Sequence, residues 1–260
     1  NRQYEKLAEE YVADHWNDVE LLRQFYTNDF PPAAAFAQKV FELEKDDSAK
    51  REFFIERSIQ ILKENPDSRG KALMVFYCAL IENREYLANV VDKIADAEAF
   101  PVLFATVGAC RNKLDEVRYR DLFAMIANGR VDAKYIKEFL NYSFLSSDIS
   151  IIEIYKDIAS LGSAARITIL NNIKWTVISR DASDLLECSE FIEQYVKALL
   201  ADEDVRVKYF SDIMEIAEHY LRTLDKPDFA IHIHSYILKF LNSCHYCNPE
   251  VIYITLLDKY

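Results

Sequence analysis

Apolar residues recur along this chain at helical spacing. Ile151, Ile154, Tyr155, Ile158 and Leu161 fall at offsets of three, four, seven and ten, which puts them on one helix face. Leu185, Cys188, Ile192, Tyr195, Val196 and Leu199 repeat the pattern, as do Phe210, Ile213, Met214, Ala217, Leu221 and Leu224. Val131, Tyr135, Phe139 and Tyr142 form a shorter stripe, and Phe229, Ile233, Tyr236, Ile237, Phe240, Leu241 and Cys244 form a long one. No segment alternates polar and apolar with period two over the length of a strand, so the pattern predicts an all-α chain.

Local punctuation divides the pattern into elements. Asn65-Pro66 and Asn248-Pro249 each pair a good N-cap with proline at the first helical position, where its missing N–H costs nothing. Asp225, two residues before Pro227, marks a similar start. Gly129 and Gly162 stand where a left-handed residue would end a helix. Pro101 and Gly108 interrupt the apolar run AEAFPVLFATVGAC, so its helix starts near Pro101 or kinks there. Pro31-Pro32 separates the first two helices from the rest. The result is about fourteen helices of roughly ten to twenty residues, joined by short loops.

From about residue 66 these helices fall into consecutive pairs, 66–95, 98–128, 131–161, 162–200 and 202–243, of a length found in helical repeats. DEVRYRDLFAMIA at 115–127 and DEDVRVKYFSDIMEIA at 202–217 form a weak internal echo. The tetratricopeptide and ankyrin signatures are missing, and only apolar spacing persists. In architecture alone the chain resembles HEAT and armadillo arrays. The expected fold is therefore stacked antiparallel helix pairs in a right-handed α-solenoid, with a compact helical bundle as the alternative. Residues 1–64 read as an N-terminal helical segment and 65–260 as a helical-repeat domain, unless 1–260 is one continuous domain.

Composition narrows the function classes. Glycine occurs 4 times in 260 residues, against a usual share of roughly 7%. Phosphate-cradling loops and dinucleotide fingerprints need clustered glycines and have no material here. A net charge of −12 argues against nucleic acid, which binds through basic patches, and against anionic membranes. No apolar run approaches the ~18–20 residues of a membrane span. The opening NRQYEKLAEE has neither a signal peptide's apolar centre nor an initiating methionine, and the chain ends in the apolar VIYITLLDKY, so it reads as part of something longer. Five scattered cysteines (Cys78, Cys110, Cys188, Cys244 and Cys247) do not make a disulfide framework, and a reducing, cytoplasmic setting is expected.

Candidate chemistry concentrates in FAIHIHSYILKFLNSCHYCNPE, residues 229–250. On a helix, His232 and His234 stand about 200° apart around the axis and cannot share one metal. His234 and Cys244 would be separated by about 15 Å of helical rise. Cys244, His245 and Cys247 could form a zinc knuckle only if a further ligand, such as His219 or Cys188, arrived from another helix. As a thiol pair, Cys247 is the better nucleophile because it precedes the Asn248 cap. Against both stands the simpler reading, a helix end followed by a loop. Glu215, Glu218 and His219 lack the Glu-x-x-His spacing of a di-iron site and read as a solvated acidic face. Asp14, His15 and Trp16 read as a helix end with one packed aromatic rather than a polar site.

These features point to a non-catalytic interaction or scaffolding module with a regulatory role. It would bind another protein, one of basic character, through a helix-lined groove, without a cofactor. The alternative is a metal-binding or thiol-active helical protein using Cys244, His245 and Cys247, with His219 as a possible fourth ligand. A HEAT-like nucleic-acid binder is a third reading, disfavoured by the acidity.

Overall fold

The computed structural model describes residues 2–27, 33–44, 46–65, 84–110, 114, 116–142 and 151–241. The described residues hold fourteen α-helices and no strand. None of these helices is long and apolar enough to cross a membrane. Backbone contacts divide the chain into two compact units, residues 1–149 and 150–260.

The first unit opens with α1 (Arg2–Glu10), which runs on through a π-helical turn at Tyr11–His15. It continues with α2 (Val19–Thr27), α3 (Ala33–Leu43), α4 (Ser48–Glu64) and α5 (Arg84–Asp96). The unit closes with α6 (Phe100–Cys110), α7 (Glu116–Ala127), a 3₁₀ turn at Ala133–Tyr135 and α8 (Ile136–Tyr142). Asp47 starts α4 by accepting a hydrogen bond from the Lys50 N–H. Asn65 closes α4, its backbone N–H and its side-chain amide both donating to the Ile61 carbonyl, and the helix expected to start at Pro66 lies outside the described residues.

The core of this unit is α6. Every residue from Val102 to Cys110 is buried, so the helix has no solvent face. Pro101 lies in its first turn, where a missing N–H is harmless, and the interruption anticipated there is simply the helix start. α6 packs against α4, α5, α7 and above all α8. Gly108 makes the α8 contact possible. A Cβ at that position would stand 2.2 Å from the Phe139 carbonyl oxygen. A second cluster, of rings, joins α1, α3 and α4: Tyr11 meets Phe36 and Phe54 edge-on, and Phe41 meets Phe54 and Tyr86. α4, which ends at Glu64, packs against α6 within this unit.

The second unit contains α9 (Ile151–Ser160), α10 (Ser163–Ile178), α11 (Ala182–Glu187), α12 (Ser189–Ala201), α13 (Glu203–Thr223) and α14 (Pro227–Leu241). α10 packs on α9 and α13, and α13 packs on α12. The stripe from Leu185 to Leu199 is buried throughout, but a break at Cys188 divides it between two helices. The stripe from Phe210 to Leu224 is buried as well, and the backbone leaves helical geometry just ahead of it, at Tyr209. On α14, Phe229, Ile233 and Ile237 are buried. Phe240, Leu241 and Cys244, which complete that expected stripe, have no described side chains.

Polar side chains tie this unit together. The Tyr195 hydroxyl donates to the Arg166 carbonyl at 2.8 Å, and Tyr220 donates to Glu193 at 2.9 Å. Asp202 caps α13 by accepting from the Val205 N–H, and it also accepts from the Ser163 hydroxyl at 2.6 Å.

The expected pairs meet two obstacles. The boundary between the units falls within 131–161, and 162–200 holds three helices rather than two. Nor does the internal echo survive as a structural repeat: Val117 is 62% exposed whereas its counterpart Val205 is 4% exposed.

Candidate functional site

The first unit carries an open groove of about 350 Å³ between α5 and α7. Two short helical periods build it. From α5 come Val91, Asp92, Ala95 and Asp96, and from α7 come Arg118, Asp121, Leu122 and Met125, in each case one face of the helix. Leu103 of α6 lies between them, and Asn128 and Arg130 close one end. That end is fixed by Gly129, which ends α7 with φ at 75° as its position in the sequence suggested, while the Val131 N–H reaches back to the Met125 carbonyl.

Val91, Ala95, Leu103, Leu122 and Met125 supply an apolar lining, with charged groups around it. Arg118 forms a two-pronged ion pair with Asp92, clamping α7 to α5 along one wall. Asp96, Asp121 and Arg130 enter no ion pair among the described residues and are exposed. The described lining holds no histidine, cysteine, serine or lysine. Besides the Arg118–Asp92 pair, its polar side chains are the carboxylates of Asp96 and Asp121, the Arg130 guanidinium and the Asn128 amide, a set suited to recognising a charged partner.

The residues singled out in the sequence lie elsewhere. Cys244, His245 and Cys247 fall outside the described residues, as do Cys78 and the Asn248 cap. His219 sits half-buried on α13, where its carbonyl accepts from Thr223. Its acidic neighbours are engaged: Glu215 pairs with Lys174 at 3.3 Å and Glu218 with Arg222 at 2.6 Å. His232 packs against Tyr236 on the same helix. Asp14 and His15 are exposed, while Trp16 meets Phe53 edge-on at 5.4 Å. Among the described residues no group of three His, Cys, Asp or Glu side chains could hold a metal ion. Cys110 and Cys188 are buried and in no disulfide among the described residues, and burial pushes the Cys188 thiol up.

Sequence reasoning did not single out the groove, although Asp92 and Asp96 on α5 and Arg118 and Asp121 on α7 lie at helical spacing. Nor did it single out Glu44, which continues the buried face of α3. Phe36, Val40 and Glu44 are spaced by four, a signal legible in advance. The chain matches no protein-family model, no curated protein and no solved structure.

Proposed function

We infer that this chain is a non-catalytic interaction module that holds a segment of another protein in the α5–α7 groove. The observation that carries the reading is the groove's make-up, an apolar lining bordered by the carboxylates of Asp96 and Asp121, which enter no ion pair among the described residues. A partner segment with an apolar side chain for the lining and a lysine or arginine for this rim would complement it, in keeping with a net charge of −12. Packing between helices two or three apart in the chain supports a stacked, solenoid-like arrangement: α6 rests on α4 and α8, and α10 on α13. Such stacks expose long helix-lined surfaces to partners.

The test is quantitative cross-linking of the full chain in its native cells, comparing wild type with Ala95→Arg and with Asp96→Lys/Asp121→Lys. Ala95 is only partly exposed and lines the groove, so an arginine there occupies it. Partners cross-linked to wild type should be lost from both variants, with unchanged helix content and melting temperature. Identical cross-linked partners and yields in all three proteins would dismiss the groove as the binding surface.

A further inference from the structure

The buried face of α3 ends on a carboxyl group. Glu44 is 1% exposed, and neither of its oxygens has a hydrogen-bond partner among the described residues. Removed from water and unpartnered, a carboxyl group strongly favours its neutral form. The residue also occupies the corner between two helices: its N–H donates to the Val40 carbonyl, and its own carbonyl accepts from the Asp47 N–H.

The titratable and charged groups around it come from both sides. Tyr11 approaches from the π-helical turn, with Asp18 beyond it. Asp47, Lys50 and Arg51 approach from the start of α4. The two cations are engaged elsewhere. Lys50 reaches the Val12 carbonyl at 3.4 Å and lies over the Trp16 ring, while Arg51 lies 4.7 Å from the centre of the Tyr86 ring. The Nε of Arg51 is itself buried without a hydrogen-bond partner. The corner thus holds an acid with no hydrogen-bond partner among the described residues and, in the first turn of α4, an incompletely satisfied base.

We propose that Glu44 is a proton-controlled latch at the α3–α4 corner. Neutral, it stays seated beside Tyr11 and keeps the ring cluster of α1, α3 and α4 closed. Ionised, it leaves that seat for Lys50 and Arg51, and α1 and α3 loosen from α4. Burial, the largest influence on the carboxyl, pushes it up to about 7, with Asp47 adding to the rise and Lys50 and Arg51 opposing it. The latch is independent of the groove, which lies on other helices.

The sign follows from linkage. The closed state holds the proton more tightly than the open state, so closure is complete in acid. It weakens by about tenfold per pH unit between the ordinary carboxyl range and neutrality, and then levels off. Two measurements on the full chain decide the matter. Carbon-13 NMR of the Glu44 carboxyl should give a midpoint near neutrality. Hydrogen exchange, corrected for its intrinsic pH dependence, should show α1 and α3 losing protection between about pH 5 and pH 7, while Glu44→Gln shows no such loss. A wild-type midpoint below about pH 5 would overturn the latch even if the glutamine variant failed to fold. Parallel exchange profiles for the two proteins would do the same.

Discussion

Replacing Gly108 by alanine sets two effects of opposite sign against each other. Within a helix, alanine is favoured over glycine by about 0.8–1 kcal/mol, so propensity alone predicts a more stable protein. The structure predicts the reverse. The new Cβ would stand 2.2 Å from the Phe139 oxygen and 2.9 Å from its carbonyl carbon, both of them backbone atoms of α8. No side-chain rotation relieves such a clash. The two helices must separate by about 1 Å to restore van der Waals contact, which opens a seam around a helix buried from Val102 to Cys110. Overpacking of this kind costs about 1–3 kcal/mol, and a rigid obstruction belongs at the upper end. After the propensity gain, a net loss of about 1–2 kcal/mol remains, or roughly 2–8 °C in the melting of the first unit. Differential scanning calorimetry on the full chain, resolving the transitions of the two units, would read it. A variant that melts at or above the wild-type temperature would show that α6 and α8 do not approach as described.

Two further expectations concern the second unit. Tyr195→Phe deletes the hydroxyl that donates to the Arg166 carbonyl, at a cost of about 0.5–1.5 kcal/mol; urea unfolding should show an earlier midpoint with an unchanged slope. Asp202 is held below its ordinary range, first by the Ser163 hydroxyl and then by the Val205 N–H. Its contribution is therefore present above the unfolded value of 3.8 and is lost as pH falls through the lower folded value. Asp202→Ala should accordingly melt below wild type at neutral pH and converge on it in acid, and a gap that stays constant with pH would refute the assignment.

What could be read from the sequence was whatever a single helix determines by itself. Val196, Leu199, Ile213 and Ala217 declared their burial through spacing, because a helix face is set by local geometry. Gly129 and Pro101 declared helix ends for the same reason. Asn65 shows what local logic leaves open, since one residue type can cap either terminus, and here it caps the end of α4. Gly108 shows what spacing cannot contain. Its absent side chain matters only because Phe139, thirty-one positions later, brings a carbonyl against it. The groove is likewise a relation between helices, and neither α5 nor α7 carries more than half of it. Glu44 is the intermediate case. Its spacing from Phe36 and Val40 placed it inside, but its charge argued for the surface, and burial prevailed because the residue ends the face that meets α1.

The groove and the core occupy different residues, and that separation makes the proposed function testable. Asp96, Asp121 and Arg130 are exposed and enter no ion pair among the described residues, so altering them removes little that holds α5 and α7 in place. Exposed substitutions of that kind change stability by only about 0.5 kcal/mol in either direction. The helices beneath are secured by α6, whose contacts face inward and are untouched by charge reversal at the rim. Arg118 is different, because it both borders the groove and clamps α7 to Asp92. Its replacement mixes a change of wall shape with a change of recognition. A loss of binding on reversing Asp96 and Asp121, with the melting temperature preserved, therefore reports on recognition itself, whereas the same loss on removing Arg118 would not separate the two.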